Sequence, residues 1–268
     1  MAFTVTSATL AHMLAIAVAN HKGGVGKTTV ARNIAPALAT RRRVLAVDLD
    51  PQGALSRSLG VTLNADALTL ADVLTGGAPA ARAIVELSPT LALLPSDRRL
   101  AEAELTIAGR MGRETMLRRA LAALADRFDV VLIDTPPTLG LLMVNALAAA
   151  HGVLIPTRPN TQDLHALRDF LATIDEARAA LNPELHTLGI VANEYDPRLT
   201  LHADALAAMR AAGLPVLGVQ IGRSVRVAEA SGAALALRDY DAGNPRVDEF
   251  DRLTKDLETW LKSKAARR

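Results

Sequence analysis

The stretch "VANHKGGVGKTTVAR" (18–32) falls one residue short of the phosphate-loop pattern G-x-x-x-x-G-K-[ST]. Counting back from Gly26-Lys27-Thr28, His21 stands where the first glycine belongs, and an additional lysine, Lys22, precedes a Gly23-Gly24 pair. An apolar run before the loop and a helix opening at Lys27-Thr28-Thr29 would gather backbone N–H groups at a helix N-terminus. Hydrogen bonding and the helix dipole both favour a phosphate chain there. In that arrangement Lys27 neutralises the β- and γ-phosphates and Thr28 binds Mg2+. The expected nucleotide cradle is Lys22, Gly23, Gly24, Val25, Gly26, Lys27, Thr28 and Thr29. A bare G-K-[ST] tripeptide arises readily by chance, so the weight rests on the strand before it, the helix after it and two acidic loops downstream.

The first of those loops is "VDLDPQG" (47–53), where two carboxylates at i and i+2 end a strand run and so point the same way. Asp50 would orient or activate water for attack on the γ-phosphate, and Asp48 would hold Mg2+ waters. A plain Asp-Pro-Gly turn explains Asp50-Pro51 but not two successive acids. The second is "DVVLIDTPP" (129–137), whose apolar run delivers Asp134 to the metal. Taken alone, Asp134 also reads as a strand-end residue capping the next helix. Lys22, Lys27 and Asp50 are the expected catalytic residues; Thr28, Asp48 and Asp134 are the expected metal residues.

Seven apolar runs recur along the chain, at 14–20, 43–50, 90–96, 129–137, 152–157, 187–195 and 215–221, with helical spacing between them, as at 114–128 and 163–181. Strands apolar throughout and alternating with helices predict an α/β doubly wound, mostly parallel sheet flanked by helices. Ligands bind such sheets beyond the carboxyl ends of the strands, where the glycine loop, Asp48, Asp50, Asp134 and Asn193 fall. One domain over 14–262 is expected, after an N-terminal extension 1–13 and before a basic tail 263–268. The absence of cysteine excludes disulfides, thiolate metal sites and a cysteine nucleophile, and fits a reducing cytosol. No basic n-region marks a signal peptide. The longest apolar stretch (139–156) is broken by Asn145, His151, Gly152 and Pro156, so it reads as a buried helix and strand and not as a membrane span. With a formal charge of +2, any nucleic-acid surface must be a local patch. Of 30 basic residues five are lysines, and two of those stand in the glycine loop. Arg223 and Arg226, three apart after the "VLGVQI" run and at the start of an expected short helix, are placed to reach adjacent phosphates from one surface.

Together "KGGVGKTT", "VDLDPQG", "DVVLIDTPPTLGLLMVNALAAA" and "IGRSVRVAEA" resemble the deviant Walker-A ATPases of the ParA/Soj type, relatives of MinD, over about residues 14–262. The resemblance implies ATP and Mg2+ as cofactors and a homodimer that sandwiches nucleotide, with Lys22 reaching the partner's phosphates. It also implies nonspecific binding of double-stranded DNA, release when a ParB-like partner stimulates hydrolysis, and a cytoplasmic, nucleoid-associated protein. Arg223 or Arg226, and with them Arg198, would touch DNA, and Asn193 would meet adenine. Weak basal hydrolysis is expected, because one water-orienting carboxylate is evident and no arginine finger is placed.

Two segments depart from the Soj pattern. "IGRSVR" (221–226) stands where "IPRNVR" is usual, and "PNTQDLHAL" (159–167) where "PEYYALEGL" is usual, which touches the adenine contacts more than the phosphate site. The alternative function is a MinD-like switch at a membrane or one that positions a protein cargo. The C-terminal segment does place Val247, Phe250, Leu253, Leu257, Trp260 and Leu261 on one face. Acids and bases are mixed on its other face, so packing against the domain is expected and a membrane partner is not. A nitrogenase-type iron protein would need cysteines, and a tyrosine kinase of this superfamily a tyrosine-rich tail; the chain has no cysteine, and its tyrosines are Tyr195 and Tyr240. With about 13 residues ahead of the first expected strand, an operator-binding helix-turn-helix domain and specific repression are not expected.

Overall fold

The computed structural model describes residues 13–266, the side chain of Gln162 excepted. The expected extension 1–13, apart from Met13, and the last two residues of the expected tail lie outside the described residues. Among the described residues eight strands form one sheet: β1 (Leu14–Val18), β2 (Val44–Asp48), β3 (Val85–Ser88), β4 (Leu91–Leu94), β5 (Val130–Asp134), β6 (Gly152–Thr157), β7 (His186–Tyr195) and β8 (Val216–Gly222). Their order in space is β3-β4-β2-β5-β1-β6-β7-β8, and each neighbouring pair is parallel except β3 with β4. The helices are α1 (Lys27–Ala39), α2 (Ala54–Ser58), α3 (Leu70–Thr75), α4 (Ala80–Ala83), α5 (Arg99–Ile107), α6 (Met116–Ala122), α7 (Leu141–Ala149), α8 (Leu164–Ala180), α9 (Thr200–Ala211), α10 (Val225–Gly232), α11 (Leu237–Tyr240) and α12 (Pro245–Ala265).

β1, β2 and β5 are buried along their whole length, as unalternating apolar runs require in a sheet covered on both sides. Period-two alternation then decides which layer each side chain joins. Ala15, Ala17, Leu45, Val47, Val131 and Ile133 pack with α3 to α9, whereas Leu14, Ile16, Val18, Val44, Ala46, Val130 and Leu132 pack with α1 and α12. The doubly wound sheet expected from the sequence is thus present, with every expected strand in place and one more. β3 is the addition. Its residues alternate half-buried and exposed, the pattern of an edge strand with one face to water, which a search for wholly apolar runs passes over.

Two expected elements change. The helix expected over 114–128 is a 3-10 turn (Arg113–Thr115) followed by α6, and 123–127 unwind into turns closed by bonds such as Leu124 N–H to Leu121 O (2.9 Å). The basic tail expected over 263–268 continues α12 through Ala265, and Lys264 lies 3.7 Å from Glu184. α12 itself buries Val247, Phe250, Leu253, Leu257 and Leu261 against the domain, as its apolar face demanded. Among the described residues no helix is long and apolar enough to cross a membrane.

Candidate functional site

β1, β5 and β2 end side by side: Val18 pairs with Asp134, and Asp134 with Asp48. The glycine loop leaves β1 immediately beyond and turns into α1. The two acidic strand ends and the loop therefore occupy one place by register alone. Gly26 takes φ 93°, a left-handed conformation suited to glycine, and a Cβ there would stand 2.0 Å from Asn193 Nδ2. His21, at the position of the missing glycine, does not share that conformation. Its ring instead lies 5.5 Å from that of Phe170 on α8, so the substitution costs the loop no left-handed strain.

Lys27 is 7% exposed and donates to the Lys22 carbonyl at 3.0 Å. Burial pushes its pKa down, and the charges of Asp134 and Asp50 oppose that shift. Thr28 donates its hydroxyl to Asp134 Oδ2 at 2.7 Å, while Asp134 Oδ1 is buried without a partner. Burial pushes the Asp134 pKa well up, and the neighbouring Asp48 adds to it. Asp48 is pushed up to about 6, chiefly by burial, against stabilising bonds from Ser56. Its Oδ2 accepts from the Ser56 N–H (2.8 Å) and hydroxyl (2.7 Å), and its Oδ1 from the Asp50 N–H (3.3 Å). Asp50 sits half-buried at the turn, with Oδ1 accepting from the Gln52 N–H at 2.9 Å.

Lys22 lies at the rim, with its side chain 45% exposed and its ammonium 2.5 Å from Oδ1 of the buried Asp163. Its backbone N–H is held by Asn20 Oδ1, and Asn20 in turn donates to the Pro156 carbonyl. Asn20, Ser56 and Asp163 were not singled out in the sequence. Asp163, at the start of α8, is 141 positions from Lys22, and no local pattern couples the two.

Asn193 comes to this site too, but in a different role from the one the resemblance implies. It is 3% exposed and donates its amide to the Val25 carbonyl at 3.0 Å, so in this structure it supports the loop. Its assignment to adenine stays with the resemblance. Gly222 is also explained locally: a Cβ there would collide with the Arg246 guanidinium, and its N–H donates to Glu249 at 2.7 Å.

The three arginines expected at DNA lie apart from the glycine loop along the chain, near the ends of β7 and β8. Arg223 and Arg226 do not begin a helix together, because α10 starts at Val225 behind Ser224; Arg223 precedes it, and Arg226 lies in its first turn. Arg198 grips Asp196 through two bonds (2.9 and 2.7 Å), and Arg226 pairs with Glu229 at 2.8 Å. Among the described residues the exposed Arg223 side chain is in no ion pair.

A buried carboxylate oxygen without a partner, a threonine hydroxyl beside it and a desolvated lysine under a loop of backbone N–H groups suit a hard cation held with a phosphate chain. Among the described residues no three His, Cys, Asp or Glu side chains are clustered to hold a metal alone, which agrees with Mg2+ being held by one or two carboxylates plus phosphates. Fold and site together define a P-loop NTPase with an additional lysine at the rim of its phosphate loop. A family model described as an AAA domain matches residues 13–187. The chromosome partitioning protein ParA of Caulobacter vibrioides is 40% identical over 84% of this chain and 86% of its own length. The chromosome-partitioning ATPase Soj of Thermus thermophilus is 39% identical over 90% of this chain and 94% of its own. A solved structure described as cobyrinic acid a,c-diamide synthase from Mycobacterium smegmatis, with bound ATP analog and magnesium, superposes with TM-score 0.84 at 37% identity, covering 94% of this chain and 97% of that one. The chain belongs to the ParA/Soj family of P-loop ATPases.

Proposed function

We propose that this chain is an ATP- and Mg2+-dependent partitioning ATPase whose ATP-bound form is a sandwich homodimer. That dimer binds duplex DNA without sequence preference and is released when a ParB-like partner stimulates hydrolysis. The reading rests on the family and, within this chain, on one observation: Lys22 is exposed at the rim while Lys27, five residues on, is sealed beneath the loop. Two lysines on one loop thus have different addresses. Lys27 serves the chain's own nucleotide, and Lys22 is available to a second protomer's phosphates once it leaves Asp163.

Thr28 and Asp134 would hold Mg2+, with Asp48 behind them. The bound ion neutralises phosphate charge and orients the γ-phosphate for attack by water. Asp50, at the turn beyond β2, would position that water, and hydrolysis without the partner would be weak. The synthase name of the Mycobacterium smegmatis structure is said of that protein, and the reading here follows the partition proteins, which match at 39–40% identity over most of their length. A lipid-bound switch gains no support either, because the apolar face of α12 is already buried in the domain.

Sedimentation with ATP and Mg2+ tests the dimer. Lys22→Ala is expected to bind nucleotide yet remain a monomer, whereas Lys27→Ala is expected to lose nucleotide binding. An intact ATP dimer of Lys22→Ala would defeat the cross-protomer role.

A further inference from the structure

A closed set of hydrogen bonds surrounds the β2 turn. The Ser56 hydroxyl donates to Asp48 Oδ2 (2.7 Å) and accepts from the Ser96 N–H (3.1 Å). The Ser96 hydroxyl donates to the Asp50 carbonyl (2.9 Å), and the Asp50 N–H returns to Asp48 Oδ1 (3.3 Å). Asp48, Ser56 and Ser96 are 0%, 1% and 2% exposed, so water does not compete for the bonds among these three, while the two bonds to the Asp50 backbone are partly buried. The Asp50 carbonyl accepts a second bond from Gly53 N–H at 2.9 Å. Gly53 itself has φ 62°, and a Cβ there would stand 2.8 Å from the Ser96 carbonyl. The turn is therefore pressed against the segment after β4 as well as bonded to it.

This geometry does something for Asp50 that its own contacts do not. Its side chain has one bond, local, to the Gln52 N–H. Its backbone is also held at the N–H by the Asp48 carboxylate two residues back and at the carbonyl by Ser96, 46 positions away. We infer that Ser56 and Ser96 are positioning residues for hydrolysis: through Asp48 and the Asp50 backbone they fix where the Asp50 carboxylate stands. The inference rests on the reading of Asp50 as the residue that orients the attacking water. A ring that sets only the place of a catalytic carboxylate acts on turnover and leaves nucleotide binding alone, since displacement by an ångström costs up to about a hundredfold in rate.

The test compares Ser56→Ala, Ser56→Thr, Ser96→Ala, Asp50→Ala and the double variant Ser56→Ala/Asp50→Ala in the full chain. Steady-state hydrolysis gives kcat, a fluorescent ATP analogue gives nucleotide Kd, and thermal melting reports the fold. Ser56→Ala is expected to lose about tenfold or more in kcat with Kd changed less than about twofold. Ser56→Thr, which keeps the hydroxyl, should recover most of that loss, and Ser56→Ala should cost nothing further on Asp50→Ala. Where Ser56→Ala does not fold, Ser96→Ala carries the same comparison, because it deletes the bond to the Asp50 carbonyl and otherwise only a long 3.5 Å contact to the neighbouring Asp97 carbonyl. The inference is overturned if both serine variants keep wild-type kcat while Asp50→Ala is dead, or if kcat, Kd and melting temperature fall together. Normal turnover by Asp50→Ala overturns the reading of Asp50 itself, whatever the serine variants do.

Discussion

Asp48 and Asp134 stand on neighbouring strand ends with both carboxyls out of water; burial raises both, with the Asp48 charge adding to Asp134 and the Asp50 charge to Asp48. A carboxyl whose pKa is higher folded than unfolded binds more protons in the native state, so stability falls as pH rises through the interval between the two values. For Asp48 that interval runs from about pH 4, the ordinary carboxylate value, to about 6, and Asp134, also raised, adds to the same decline. The rise of Asp48 alone corresponds to about 3 kcal/mol of stability lost on ionisation. With Mg2+ chelated, the melting temperature is therefore expected to be higher near about pH 5.5 than near about pH 7.5, and Asp134→Asn should raise it at the upper pH and flatten the slope while abolishing hydrolysis. A melting temperature that climbs over this interval in the wild type, or an Asp134→Asn chain less stable than wild type at about pH 7.5, would show that the pair is not strained. Both acids were legible in the sequence because a strand end fixes where a residue stands. Ser56, Asp163 and Asn20 were not, because what matters is the partner each meets, and for Asp163 that partner is 141 residues away.

Among the elements, the phosphate-loop helix α1 is also the anchor for the segment that carries Arg226. Arg32, 1% exposed, donates from one guanidinium to the carbonyls of Leu235 (3.0 Å) and Val227 (2.9 Å), with its Nε unpartnered and burial pushing its pKa down to about 10. Asn33 accepts from the Leu237 N–H at 2.8 Å and donates to the Thr29 carbonyl. Arg32→Met keeps volume and removes a desolvated charge, which favours the variant, but strands two buried carbonyls at about 1–3 kcal/mol each. The net is expected to be a loss of about 2 kcal/mol in denaturant unfolding, with amide exchange across 225–237 accelerated ahead of the rest of the chain. Unchanged exchange there would mean that the segment is held without Arg32, by the burial of Ala230 and Leu237 and the Asn33 bond to the Leu237 N–H. The sheet was readable because its inner strands are apolar on both faces, and α8 and α12 because their apolar spacing is long. β3 and α11 were not: one is an amphipathic edge strand, the other a four-residue helix; a short helix after β8 was expected, and α10 supplies it with a start at Val225. Arg32 shows the limit most plainly, since an arginine in an amphipathic helix reads as a solvent residue and here is among the most buried side chains.

For the whole molecule, a formal charge of +2 gives no long-range attraction to DNA worth the name, so binding has to come from a few well-placed cations used more than once. The arginines nominated for it are not equivalent. Arg198 and Arg226 already hold Asp196 and Glu229, and a phosphate must displace those carboxylates before it gains anything, whereas Arg223 is exposed and in no ion pair among the described residues. Arg223→Ala is therefore expected to weaken DNA binding more than Arg226→Ala or Arg198→Ala. The affinity of a single chain should be poor near physiological salt, and pairing two patches in the ATP dimer doubles the contacts, each phosphate neutralised adding about −0.9 to the slope of log K against log salt. On the proposed function, nucleotide would switch DNA binding on by changing the number of contacts, with no new surface built. The measurement is a salt series on unrelated duplexes with ATP and with ADP, for wild type, Arg223→Ala, Arg226→Ala and Lys22→Ala. Lys22→Ala, which should stay monomeric, is expected to show the shallow ADP-like slope even in ATP, and Arg223→Ala to lose about two phosphates' worth of slope per dimer. Equal binding in ATP and ADP, or a wild-type slope in Arg223→Ala, would place the DNA surface elsewhere on the chain.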